Sequence, residues 1–163
     1  MAITFTIDEI FEMAEQIERN GVMYYREAAA KAPDKETKQM LLDMAEMEDE
    51  HLGTFQEMRK GLDPRGKEPM VLDPDNQAAM YLRAMADARS VEGRISPTKK
   101  LTGNETIKEI LDIAINSEND SVVFYLNLKD LVPVKAGRDK VEKIIIEELS
   151  HITTLLKKLR ALQ

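Results

Sequence analysis

Residues 6–58 of this 163-residue chain align with residues 106–158 without a gap. The stretch TIDEIFEMAEQIERNGVMYY falls on TIKEILDIAINSENDSVVFY. Thr6 thus meets Thr106, Ile10 meets Ile110, Ala14 meets Ala114, Tyr25 meets Tyr125 and Pro33 meets Pro133. A chain of this kind is built from two copies of one unit. The unit has helical period, and almost nothing alternates as a strand does. Its first helix carries the apolar stripe Phe11, Ala14, Gly21, Tyr25 and Ala28, opens on the capping box Thr6–Glu9 and stops at Pro33. Its second starts at the N-cap Asp34 and carries Leu41, Met44, Phe55 and Met58. The second copy repeats the plan with Leu111, Ala114, Tyr125 and Leu128, then Val141, Ile144, Leu155 and Leu159.

These patterns predict helices over about 7–32, 34–60, 105–130 and 138–162. Each copy is a pair with a short connection, whereas roughly 40 residues separate the copies and hold one shorter helical pattern over about 75–89. The expected architecture is an all-α four-helix bundle of two antiparallel hairpins joined by a long crossover with a short helix, one domain spanning 1–163. At this length one full core is expected and two are not.

The stripes are interrupted by charge. Glu18 stands four residues after Ala14 and seven before Tyr25, within the apolar face, and Glu118 holds the same place in the second copy. Glu48 and His51 interrupt the second stripe, and Glu148 and His151 the fourth, each pair spaced Glu-x-x-His. Four carboxylates and two imidazoles therefore point at one core. A buried unpaired carboxylate costs several kcal/mol, and four together repel. The stripes place no Lys or Arg opposite them. Two divalent cations would neutralise the carboxylates while the imidazoles bind as neutral ligands.

A single Glu-x-x-His is weak evidence. With 18 Glu in 163 residues, chance places one three residues before a given histidine about one time in nine. Both histidines of the chain have one, at equivalent repeat positions, which makes coincidence the poorer account. Glu12, Glu15, Glu46, Glu50 and Glu147 are read instead as solvated. Tyr25 and Tyr125 are read as core aromatics whose hydroxyls orient ligand carboxylates, and the ten Met as flexible core filler.

A net charge of −7 argues against a nucleic-acid partner. No apolar run reaches the length of a membrane span, and the N-terminus does not read as a signal peptide, so a soluble cytoplasmic protein is expected. The absence of Cys removes thiolate metal sites and a cysteine nucleophile.

One inward Glu from each of two helices with Glu-x-x-His from each of the other two resembles the ferritin-like di-iron carboxylate proteins. ERNGVMYY and ENDSVVFY, together with EDEH and EELSH, resemble the rubrerythrin branch in particular. The resemblance implies a ferritin-like bundle, two iron ions per chain (manganese or a mixed site is compatible with the donor set), and Glu18, Glu48, His51, Glu118, Glu148 and His151 as ligands. Glu48 and Glu148 would bridge. It implies a di-iron oxidoreductase that reduces peroxide or dioxygen in oxidative-stress defence, as a homodimer or larger homo-oligomer. Iron oxidation and storage is the alternative, and a non-catalytic metal-binding helical module a further one. Two departures shape the expectation. Rubrerythrins usually carry a rubredoxin module whose iron is held by four cysteines; this chain has no Cys, so an external electron-donor protein is implied. Rubrerythrins also tend to have a second glutamate one turn beyond the third-helix ligand, where this chain has Ser121.

Overall fold

The computed structural model describes residues 5–64, 80, 81, 84 and 101–163. Four long helices carry the fold: α1 (Ile7–Ala30), α2 (Lys35–Lys60), α3 (Ile107–Leu131) and α4 (Arg138–Ala161), with a 3-10 turn at Val134–Ala136 leading into α4. The helix expected over about 75–89 lies outside the described residues, apart from Met80, Tyr81 and Ala84, which are helical.

The helix ends follow local chemistry. Thr6 accepts the Glu9 amide at 3.0 Å while its own amide donates to Glu9 Oε2 at 2.8 Å. Thr106 and Glu109 repeat this reciprocal cap at 3.2 and 2.7 Å. Asp34 Oδ1 accepts from the Thr37 amide at 2.8 Å. α1 stops at Ala30, two residues before the expected end, because Pro33 disfavours helical geometry in the residue before it and the Lys31 amide turns back to Ala28 and Ala29. α3 starts at Ile107, since Thr106 takes the extended backbone of an N-cap.

α1 packs antiparallel to α2 and α3 to α4. The hairpins then meet with α1 against α3 and α2 against α4. Tyr25–Glu118 and Tyr125–Glu18 fix the first contact as antiparallel, and His51–Glu147 with His151–Met47 the second. Every one of these pairs maps on its mate by the 100-residue shift, so the bundle has an internal two-fold relation.

Two apolar layers fill the interior. One gathers Phe11, Phe55, Phe124, Tyr125, Val141 and Ile144; the other gathers Tyr25, Leu41, Ile110, Leu111, Ala114 and Leu155. Full burial of each large side chain contributes roughly 1.5–3 kcal/mol. On all four helices Glu18, Glu48, Glu118 and Glu148 fall between the segments that supply the two layers, so a polar layer lies across the middle of the bundle.

Candidate metal centre

That middle layer is buried. Glu18, Glu48, Glu118 and Glu148 are 0–5% exposed, and His51 and His151 are 3% and 2% exposed. Each helix contributes on the face its spacing dictates: α1 brings Glu18, α3 brings Glu118, and one turn of α2 and of α4 brings a Glu-x-x-His pair. One ligand atom from each of Glu18, Glu48, His51 and Glu148 lies within 4.8 Å of the others, and the same holds for Glu48, Glu118, Glu148 and His151. Glu48 and Glu148 thus belong to both groups, as bridging ligands would.

Both imidazoles turn Nδ1 to the centre. His51 Nδ1 is 3.2 Å from Glu148 Oε1 and 3.6 Å from Glu18 Oε2; His151 Nδ1 is 3.1 Å from Glu48 Oε1 and 3.2 Å from Glu148 Oε2. The two rings stack with centroids 5.8 Å apart. Their outward Nε2 atoms differ in company: His51 Nε2 meets Glu147 Oε2 at 3.0 Å, and His151 Nε2 meets Met47 Sδ at 3.4 Å. Tyr25 donates to Glu118 Oε1 and Tyr125 to Glu18 Oε1, each across the hairpin boundary. Glu48 needs the glycine opposite it. A Cβ on Gly21 would stand 2.5 Å from Glu48 Oε2 and 3.2 Å from its Cδ. Ser121, the repeat partner of Gly21, lines with Gly21, Tyr25, Glu48 and Glu118 a cavity of about 10 Å³, about the space of one water.

Electrostatics state the cost of this arrangement. Burial, then the charges of Glu118 and Glu18, pushes Glu48 well above the ordinary carboxylate range. Burial, then Glu48 and Glu118, does the same to Glu148. Burial acts in the same sense on Glu118, but hydrogen bonds with Glu148 and His151 outweigh it and hold that carboxyl low. For the histidines burial disfavours charge, yet bonding to and attraction by Glu18 raise His51 to about 9, and the bonds to Glu118, Glu148 and Glu48 raise His151 to about 12. Burial first, and then the neighbouring carboxylates, pushes both tyrosines up, so they remain donors. Alone, the cluster holds itself together by retaining protons.

Even so it leaves atoms unmatched. Glu18 Oε2, Glu48 Oε1, Glu148 Oε2 and both Nδ1 atoms are fully buried, and although the Nδ1 atoms approach these carboxylates to 3.1–3.6 Å, none of the five makes a hydrogen bond of good geometry, whereas buried polar atoms almost always do. Five orphans, all in the two groups that share Glu48 and Glu148, are the pattern of ligands around cations. Oxygen and imidazole donors without thiolate suit iron or manganese. No Lys or Arg among the described residues pairs with the four glutamates.

The sequence model of the Rubrerythrin family matches residues 9–159, a span that includes every one of these six groups. The chain belongs to the rubrerythrin family. This rubrerythrin-family chain is also similar to a crystal structure from Thermotoga maritima, provisionally assigned as a ferritin-like diiron-carboxylate protein. The two are 26% identical, the match covers 98% of each chain, and the TM-score is 0.71. The fold is accordingly a ferritin-like bundle, and family and cluster together mark a diiron-carboxylate type of metal site. No curated protein matches the chain. Among the described residues no helix is long and apolar enough to cross a membrane.

Two acidic residues read as solvated are not. Glu147 is partly buried and meets His51. Glu15, 8% exposed, faces Arg59 at 3.5 Å and Arg19 at 3.9 Å in a network that also joins Arg59 to Asp8 at 2.9 Å. Glu15 has a visible sign in its repeat partner, the apolar Ile115. Glu12, Glu46 and Glu50 are exposed, as expected. Gly21 and Met47 also touch site residues, which their places as stripe and filler residues did not foretell.

Proposed function

We propose that this chain is a di-iron oxidoreductase that reduces peroxide or dioxygen with electrons from an external donor protein. Glu18, Glu48 and His51 would hold one iron and Glu118, Glu148 and His151 the other, with Glu48 and Glu148 within reach of both. The observation that carries the reading is the set of buried, unpartnered carboxylate and imidazole atoms gathered in two overlapping groups. A bound pair of ferrous ions would supply there the two electrons that such a reduction takes.

The protein's part is to hold and to exclude. Tyr125 fixes Glu18 Oε1 and leaves Oε2 toward His51 Nδ1 at 3.6 Å, while Tyr25 donates to Glu118 Oε1, the oxygen that also lies 3.5 Å from His151 Nδ1. The apolar layers on both sides keep bulk water out. The small cavity beside Glu48 and Glu118, about the space of one water, brings a small polar molecule next to two of the candidate ligands.

The test is metal analysis of the purified chain followed by stopped-flow mixing of its ferrous form with peroxide and, separately, with oxygen. About two ions per chain, lost in Glu148→Ala and His151→Ala, and a fast rise in absorbance on mixing with peroxide are the expected outcome. Oxidation by oxygen in a large hollow assembly, seen by size exclusion, would assign the centre to iron storage instead. Metal bound without any oxidation-linked absorbance change would overturn the redox reading.

A further inference from the structure

The duplicated plan makes each break in equivalence readable, and the break nearest the centre lies at positions 47 and 147. Each residue directly precedes a shared glutamate, and each meets the outward nitrogen of the histidine on the facing helix. Glu147 Oε2 lies 3.0 Å from His51 Nε2, while its Oε1 is 3.5 Å from Lys143 Nζ on the next turn. Met47 offers His151 only a sulfur at 3.4 Å. The surroundings diverge in the same sense. A groove of about 610 Å³ between α2 and α4 is lined by Met40, Met44, Met47 and His151. The repeat partners of the three methionines are Lys140, Ile144 and Glu147.

We propose that the two metal positions are inequivalent: Glu147 makes the position at His51 the tighter, and Met47 leaves the position at His151 the weaker and more exchangeable. This rests on the ligand set of the preceding subsection. With Nδ1 turned to the metal, Nε2 carries the proton of the neutral ring. A carboxylate acceptor there fixes the tautomer, orients the ring and raises its basicity as a ligand. A thioether is a weak acceptor and does little of this. Loss of such an outer partner costs about 10–100-fold in metal affinity, and that factor should separate the two positions. The groove adds a kinetic difference, since an ion leaving the His151 position has an open methionine-lined face next to its ligand. Glu147 is a positioning residue and Met47 its weaker counterpart.

Titration of the metal-free full chain with Co2+, followed by calorimetry and visible absorbance, reads the two positions as two steps. The first step should be tighter than the second by about 10–100-fold. Glu147→Met should weaken the first step alone by that factor and merge the two steps, with Glu147→Gln falling between. Met47→Glu should tighten the second step. If Met47→Glu does not fold, Glu147→Met carries the test, because that side chain is about one-third exposed. A purely structural Glu147 would weaken both steps equally, and that result overturns the inference. So does a single step for two equal ions in the unaltered chain. Two resolved steps that survive His51→Ala and His151→Ala would instead sink the ligand set, a failure separable from that of the inequivalence.

Discussion

Gly21→Ala separates folding from metal binding in one substitution. The residue lies inside α1, where alanine gains up to about 1 kcal/mol over glycine in helix propensity. The added Cβ would stand 2.5 Å from Glu48 Oε2, whereas ordinary contact begins at 3.4 Å. The carboxylate must therefore retreat by about 0.9 Å, beyond the roughly 0.5 Å within which a binding constellation tolerates misplacement. The displaced atom is the far end of a flexible side chain, so the penalty falls near the low end of the roughly 1–3 kcal/mol typical of overpacking. The two effects nearly cancel, and the melting temperature of the metal-free variant should lie within about 3 °C of the parent, at roughly 2–4 °C per kcal/mol for a chain of this size. Metal binding should not survive so well, because Glu48 belongs to both ligand groups. An ion present at one hundred times its Kd stabilises the parent by about 2.7 kcal/mol, which is about 5–11 °C on the same scale. Thermal unfolding by circular dichroism, with and without metal, should show that rise in the parent and less than about 2 °C in Gly21→Ala. A variant that keeps the full metal-induced rise would refute the claim that Glu48 needs the space above Gly21.

Other outcomes follow from the same layer. Glu48 and Glu148 have raised folded pKa values, so their unfavourable contribution grows as pH climbs above the ordinary 4.5. His51 and His151 are also raised, so their favourable contribution is full below 6.5; that of His51 is lost as pH rises through about 9 and that of His151 through about 12. Both effects have one sign: urea unfolding of the metal-free chain should show stability falling from about pH 5 to about pH 9. Metal must displace those protons, so its affinity should rise with pH, and calorimetry in buffers of different ionisation enthalpy should register net proton release. Glu148→Gln should stabilise the metal-free chain at neutral pH, because the amide needs no proton where burial, Glu48 and Glu118 make Glu148 keep one at a cost to folding, while reducing metal uptake; a loss of metal-free stability would contradict the charge argument. Tyr125→Phe removes the buried hydroxyl that donates to Glu18 Oε1 and should lower the unfolding free energy by about 1–3 kcal/mol with an unchanged m-value.

What could be read from the chain, and what could not, divides along one physical line. Stripe positions and the Glu-x-x-His pairs are properties of a single helix, governed by the 3.6-residue period, and the gap-free shift by 100 confirms them against a second copy. The six inward groups and the pairing of helices were legible for that reason. Glu147 was not, because its partner His51 lies on a facing helix and its position is beside the stripe. The repeat also hid it, since the equivalent residue is Met47 and a comparison that looks for sameness passes over a functional difference. Glu15 was misjudged for a related cause: the apolar Ile115 at the matching position signalled a half-buried flank, and Arg59 at the far end of α2 supplies the charge that makes a glutamate tolerable there. Gly21 was legible as a small stripe residue, but the atom that fills its space comes from another helix.

The tyrosine hydrogen bonds carry an implication for ancestry. Each reaches out of its own copy to grip a glutamate in the other, and each Nδ1 has a carboxylate of the opposite copy at 3.1–3.2 Å. A lone hairpin of this sequence plan owns half of every such contact, so it could capture a metal pair only by meeting its twin across a two-fold axis. Tethering the twins in one polypeptide keeps that geometry while releasing them from identity, and a methionine facing one histidine with a glutamate facing the other is a difference that no assembly of identical halves could hold.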